Sequence, residues 1–243
     1  MESDEYRIMF EVEDRHWWYR GLRANLGALW SRCVLSSNPQ VLDVGCGTGA
    51  NLEELARDAI PAGVDVSMEA IRLCRRRRQS RTVVGSAVAL PFPDGRFDVV
   101  VSCDVLCHKS IPDKGVVLHE ARRVLRPGGV LLLNLPAYQW LYSSHDVHVH
   151  TDHRFTRREV TALLKSCGFV PIRATYWNTI LFPAIVAVRF WRRLRPAANS
   201  DLVAGGSNGL CAAALAIENR LLRVFALPFG LSIMTAARRP SHD

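Results

Sequence analysis

No apolar run in this chain of 243 residues approaches the roughly 20 needed to cross a bilayer. The most apolar stretch, Thr179 to Val188, falls far short of that length. The acidic N-terminus has no apolar h-region, so no secretory signal is expected. The 7 cysteines (Cys33, Cys46, Cys74, Cys103, Cys107, Cys167 and Cys211) are odd in number, scattered, and never spaced C-x-x-C. That pattern excludes the usual zinc and disulfide frameworks and fits reduced thiols in a cytoplasmic protein. Internal repeats and long low-complexity tracts are missing too.

What is present is apolar enough to fold. Hydrophobic residues make up 49% of the chain, so a sizeable core is available and disorder is not expected. The length suits one domain with elaborations. A formal charge of +8 favours anionic partners such as nucleic acid, lipid headgroups or phosphorylated substrates. Much of it sits in local clusters, and a solvated surface accounts for it equally well.

The most informative stretch is VLDVGCGTGA, from Val41 to Ala50. It reads as a buried strand, an aspartate, and then Gly45, Gly47 and Gly49. Closely spaced glycines let a backbone turn sharply and lie against a ligand. Gly45, Gly47 and Ala50 also satisfy the dinucleotide pattern G-x-G-x-x-G/A. Asp43 argues against a dinucleotide, because a carboxylate there repels a pyrophosphate and suits a cationic ligand. Asp65, in AGVDVS, stands where a second strand should end, and an acid there hydrogen-bonds ribose hydroxyls. The blocks GSAVALPFPDGRFDVVVSCDVLCH (85–108) and RRVLRPGGVLLLNLP (122–136) follow in order.

Together these four blocks resemble the class I S-adenosylmethionine (SAM)-dependent methyltransferases of the type 11 kind, over roughly residues 40 to 170, within one ordinary domain length. The resemblance implies SAM as cofactor. It places Gly45 and Gly47 at the amino-acid part, Asp65 at the ribose, the backbone near Ser86 and Ala87 at adenine and Cys103 by the methionine chain, with Asp43, Cys46, Gly49 and Val66 as further cofactor contacts. The family often has an acid where Ser86 stands; a serine hydroxyl can accept the same hydrogen bond more weakly.

Strand and helix alternate from Gln40 onward, which predicts a mainly parallel, doubly wound Rossmann-like α/β sheet of seven strands. Strands are expected at 40–44, 62–66, 82–85, 97–102, 130–135 and 169–176. Helices are expected over 50–58, 68–79 and 113–125, the last stopped by Pro127-Gly128-Gly129. Thr156, Glu159 and Gly168 bracket a further helix with a capping box and a glycine stop. The resemblance puts the last strand, Ser232 to Arg238, antiparallel near the sheet edge. Four units are expected: an N-terminal helical lid (1–36), the SAM-binding core (37–177), a helical insertion (178–230) and a final strand with a tail (231–243). The insertion reads as helices near 178–195 and 208–226 joined by a Gly/Ser/Asn linker.

Residues 4 to 35 read as one helix capped by Ser3 or Asp4, and they include His16-Trp17-Trp18-Tyr19-Arg20. Adjacent aromatics on a helix point about 100° apart and cannot all face one core. Either they pack the helix onto the sheet, or some cover the cofactor. Similar methyltransferases carry an N-terminal lid whose Tyr or Arg meets the SAM carboxylate, which would suit Tyr19 and Arg20. Trp18 is then a candidate for the substrate.

The loop 136–155 is long, polar and rich in histidine, at the end of the sheet where an acceptor should sit. Tyr138, Trp140 and His150 are candidate substrate contacts. His145 with Asp146, and separately His108 after the fourth strand, are candidate general bases. His148 and His150 alternate, so in an extended chain they could share a metal, but solvated or backbone-bonded histidines are commoner and no metal is assigned. Arg75–Arg78 reads as helix-dipole complementation and solvation. Arg189–Arg195 interleaves arginine with Phe190 and Trp191, as membrane-surface helices do.

The expectation is therefore a methyltransferase acting on O or N of a small-molecule or lipid-like acceptor, with peripheral membrane contact and homodimerisation as further options. The alternatives are an RNA methyltransferase, for which no binding module is recognisable, a non-catalytic SAM-binding scaffold, and an NAD-dependent enzyme.

Overall fold

A computed structural model describes residues 3–34, 36–194 and 208–241. The chain opens with helices α1 (Ser3–Val12) and α2 (Trp17–Cys33). It then alternates through β1 (Gln40–Val44), α3 (Ala50–Leu55), β2 (Ile60–Asp65), α4 (Met68–Arg76), β3 (Thr82–Val84), β4 (Phe97–Cys103), α5 (Lys114–Val124) and β5 (Leu125–Pro136). A short α6 (Ser144–His148) precedes α7 (Arg157–Ser166), β6 (Val170–Trp177), α8 (Phe182–Leu194), α9 (Asn208–Leu222) and β7 (Ser232–Arg238).

The sheet has 7 strands in the order β3-β2-β1-β4-β5-β7-β6. Strands β1 to β5 pair in parallel, and β7 runs antiparallel between β5 and β6. The order reverses between β1 and β4, which opens a crevice beyond their carboxyl ends. Side chains alternate across a strand, so each strand feeds two cores. Leu42, Val44, Val100, Leu131 and Leu133 pack with Leu118 of α5 and Leu164 of α7. Val41, Val99, Val101 and Leu132 pack on the opposite face with Leu22, Leu26 and Leu29 of α2 and Leu215 of α9.

The N-terminal segment differs from the single capped helix expected. It breaks at 13–16, where Glu13 turns inward, and His16 caps α2 by accepting from the Trp18 amide at 3.3 Å. Ser3 and Asp4 lie inside α1, not before it. α2 covers a sheet face, because Leu22, Leu26, Leu29 and Cys33 form a buried stripe. Met9 of α1 lies against Gly47 of the glycine loop. β5 starts at Leu125 and carries Pro127-Gly128-Gly129 within it, earlier than the expected 130. The loop 136–155 contains α6 and a single 3₁₀ turn, Gln139–Leu141. The Gly/Ser/Asn linker expected before α9 lies outside the described residues.

Candidate functional site

The glycine loop follows β1 because Gly45, Gly47 and Gly49 all adopt left-handed backbone (φ +76°, +54° and +91°), which side chains disfavour. The amides of Gly45 and Cys46 donate to the Val64 carbonyl at 2.8 and 3.1 Å, pinning the loop to β2. A Cβ on Gly45 would collide with Val105, and one on Gly47 would come within 2.9 Å of Met9.

Two carboxylates flank this loop. Asp43 is fully buried, and neither of its oxygens has a hydrogen-bond partner. Burial, then the charge of Asp65, pushes its carboxyl up to about 7. An unpaired buried carboxylate beside the glycine loop suits a cation-bearing ligand, and the site fits SAM on that ground. Asp65 accepts from the Gly47 amide at 3.0 Å, the Ser67 amide at 2.9 Å and the Tyr6 hydroxyl at 3.0 Å. Ala87 is buried on the side assigned to adenine, while the Ser86 hydroxyl accepts from the Val88 amide at 3.4 Å. Val66, expected among the cofactor contacts, is 69% exposed just past β2.

α1 is fastened over this cofactor end. Besides the Tyr6 bond, the Thr48 hydroxyl donates to Glu13. Arg77 pairs with Glu13 at 3.1 Å, Asp14 at 3.0 Å and Glu53 at 2.9 Å. The expected solvated role of the arginine run therefore fails at Arg77, whose side chain is mostly buried and ties α4 to the N-terminal segment. The Arg20 residue is exposed, whereas Tyr19 is partly buried. Burial, with Glu13 and Asp104 nearby, pushes the Tyr19 phenol up. Trp18 meets Trp177 at a tilt of 35° with ring centres 5.9 Å apart and so packs α2 onto the sheet.

The end of β4 holds a group that sequence reasoning passed over. The sequence offers Cys103 and His108 as candidates there, and Asp104 lies between them. Its backbone is left-handed (φ +58°), an uncommon conformation for a residue with a side chain. The Asn134 amide nitrogen donates to both Asp104 oxygens, at 3.1 Å each. Trp177 donates its Nε1 hydrogen to Asn134 Oδ1 at 2.8 Å. Burial pushes the Asp104 carboxyl up to about 7, against the lowering effects of Asn134 and Arg154. The only sequence signal was an acid directly after a strand at the crevice.

Of the expected bases, Asp146 is withdrawn by its contacts. It is buried and pairs with Arg154 at 2.6 Å, and its second oxygen accepts from the Ser143 amide at 2.8 Å. Both oxygens are thus committed to holding the loop, which is a structural use. His145 is partly buried on α6. His108 stands beside His150, with ring centres 5.6 Å apart, and its Nδ1 lies 2.7 Å from the Ser110 hydroxyl. Burial holds His108 down at about 4. The shared metal face expected of His148 and His150 required extended chain. His148 lies in α6 and His150 is left-handed, and no grouping of His, Cys, Asp or Glu among the described residues could hold a metal.

Tyr138 and Trp140 join an aromatic cluster beyond β5. Tyr138 stacks on Trp140 at 5.7 Å and on Tyr176 at 5.1 Å, and Phe182 of α8 meets Tyr138 edge-on at 6.0 Å. Among the described residues no helix is long and apolar enough to cross a membrane.

Residues 42–133 match the family described as "Methyltransferase domain". A fatty-acid O-methyltransferase of Mycolicibacterium smegmatis is 42% identical over 99 residues, 38% of this chain and 35% of that protein. A demethylmenaquinone methyltransferase of Tropheryma whipplei is 28% identical over 220 residues, 76% of this chain and 84% of that protein. The chain spans about a third of the length of the first curated relatives it matches. A solved phosphoethanolamine N-methyltransferase 2 of Haemonchus contortus, in complex with SAM, superposes with a TM-score of 0.60. It shares 19% identity, over 89% of this chain and 52% of that one, and so shows the fold.

Proposed function

We propose, on the premise that this chain carries a class I SAM-dependent methyltransferase domain with SAM as its cofactor, that it methylates O or N of a small, lipid-like acceptor. When bound, SAM supplies a methyl carbon already activated by its sulfonium. The chain's own residues then have to bind it, align an acceptor and exclude water. Asp43 offers a negative charge to the cationic end, Asp65 offers acceptors to the ribose, and the glycine loop lets backbone approach closely. Tyr19, with Cys103, would border the methionine end, and Ala87 with the Ser86 backbone would border adenine.

The observation that carries the acceptor class is the aromatic cluster of Tyr138, Trp140, Tyr176 and Phe182 beyond the acceptor end of the sheet. A cluster of aromatic rings with Trp140 48% exposed suits contact with an apolar molecule. The named fatty-acid and menaquinone-precursor relatives support the same class. His108 and His145 are proposed to orient the acceptor from the loop side. α8 exposes Phe190 (50%) and Trp191 (59%), and this supports contact with a lipid surface from which the acceptor is drawn.

The test is transfer of a labelled methyl group from SAM to a panel of fatty acids, quinols, lipid amines and short RNAs, read by mass spectrometry. Methylated lipid-like product is expected. Product on RNA alone, or SAM binding with no product on any acceptor, overturns the reading.

A further inference from the structure

The acceptor end holds a carboxylate with the features of a proton acceptor, and this inference rests on the methyltransferase reading above. Asp104 follows β4 directly, beside the glycine loop, where Val105 crowds Gly45. It is partly exposed, so a ligand in the crevice can reach it. Its left-handed backbone is a cost the fold bears at this position, and such strain concentrates at functional sites.

The surroundings fix both its orientation and its charge. Trp177 Nε1 can only donate, so Asn134 must turn its oxygen toward the indole. The amide nitrogen of Asn134 is thereby forced toward Asp104, where it reaches both oxygens. Trp177 is in turn held by Trp18 of α2. The relay thus runs from α2 to one carboxylate through a ring contact and two hydrogen-bonded links, each of those links having a single workable orientation.

The other charged and titratable groups facing Asp104 come from three elements. Tyr19 of α2 lies nearby and is neutral, and Arg154 and Asp146 act from the loop 136–155 with opposite signs. Cys103 and Cys107 flank it, the latter donating its thiol to the Asp104 carbonyl at 3.1 Å. Burial raises both thiols, so they stay protonated beside it. Asn134 favours the ionised carboxylate while burial opposes it, which leaves the group poised near neutrality.

We propose that Asp104 is the general base for a hydroxyl acceptor, positioned by Asn134 and Trp177. The acceptor's O–H bond breaks toward an Asp104 oxygen as its oxygen forms a bond to the methyl carbon. The C–S bond breaks with its electron pair going to sulfur, which leaves a neutral thioether, and protonated Asp104 later returns its proton to solvent. A carboxylate or free amine acceptor would need no such base. The inference therefore narrows the acceptor to an alcohol, enol or phenol.

The test compares the intact protein with Asp104→Asn, Asn134→Ala and Trp177→Phe, measuring SAM affinity by calorimetry and kcat against pH. For wild type, kcat on a quinol or lipid alcohol should rise with pH and level off above about 7, because the ionised form is active. Asp104→Asn should keep SAM affinity within about 2-fold, lose about 100-fold in kcat and lose the pH limb. Asn134→Ala should move the limb to higher pH, and Trp177→Phe should move it the same way by less. A structural role would leave that limb in place. Asp104→Asn with near-normal kcat and an unchanged limb overturns the proposal. So does a wild type that methylates only amines or carboxylates, although the methyltransferase reading survives that result. SAM binding with no methyl transfer to any acceptor overturns the reading and Asp104 with it.

Discussion

The hydroxyl of Tyr6 donates to Asp65 across 3.0 Å, so the first helix of the chain holds the carboxylate assigned to ribose. Tyr6 is buried, and Asp65 also receives the Gly47 and Ser67 amides. A ribose hydroxyl must compete with this phenol or displace it. Tyr6→Phe keeps the ring packing and removes the competitor. SAM should then bind about 3- to 10-fold more tightly, the scale of one ordinary hydrogen bond. Isothermal calorimetry checks it; weaker binding would mean that Tyr6 helps to hold the ribose.

Asp43 makes stability and cofactor binding depend on pH in opposite directions. Its folded carboxyl sits near 7, above its ordinary value, so the folded state binds this proton more tightly than the unfolded chain. Its contribution is fully present at low pH and is lost as pH rises from about 4 through 7. Asp43→Asn should therefore stabilise the SAM-free protein at pH 8 and change little at pH 4, which paired melting curves would show. A cationic ligand favours the ionised form. Wild-type SAM affinity should accordingly rise toward pH 8, and Asp43→Asn should lose about 10-fold of it there.

Local patterns carried much of the fold. The glycine run, the alternation of strand and helix, and the Thr156–Glu159 capping box are written in neighbouring residues, and each appears where expected. The site was less legible, because its relationships join distant parts of the chain. Tyr6 meets Asp65, Glu13 meets Thr48 and Arg77, and Trp177 meets Asn134. Nothing local to Asp146 announces Arg154 as its partner, and a His beside an Asp looks the same on paper whether the acid is free or buried. Asp104 was hidden differently: its significance lies in a left-handed φ and an amide donated from the next strand.

Asp146 should matter for stability and not for chemistry. Its carboxylate is buried against Arg154, whose Nε also donates to the Ala137 carbonyl at 2.8 Å. Asp146→Ala strands a buried guanidinium, at a cost of about 3–5 kcal/mol. For a chain of this size that lowers Tm by on the order of 10 °C. Scanning calorimetry checks it, and kcat per folded molecule at low temperature should stay near wild type.

His108 and His145 should affect turnover more than cofactor binding. Burial keeps the His108 imidazole neutral at any pH above about 4, so a protonated His108 cannot be the working form at neutral pH. His108→Ala and His145→Ala should each lower kcat several-fold, on the order of 10-fold, while SAM affinity holds. The pH limb should not move in His108→Ala. Normal turnover in both variants would remove these residues from the acceptor site.

The exposed face of α8 should decide how an apolar acceptor reaches the crevice. Val188, Phe190 and Trp191 are 46%, 50% and 59% exposed, and the sequence there reads VRFWRRLRP. Phe190 meets Trp140 at 6.4 Å, and Trp140 stacks on Tyr138, so this face is continuous with the aromatic cluster. Aromatics seated among headgroups should bind lipid vesicles, while Arg189 of this helix turns inward, donating to the Leu141 carbonyl at 2.7 Å and pairing with Asp146 at 3.8 Å. Phe190→Glu with Trp191→Glu should reduce vesicle binding about 10-fold or more, since each change replaces apolar burial with a charge. Turnover of a short, water-soluble acceptor should survive in that double variant, while turnover of the same headgroup on a long chain in vesicles should fall. Equal losses on both acceptors would mean that α8 supports the active site itself and not its delivery from lipid.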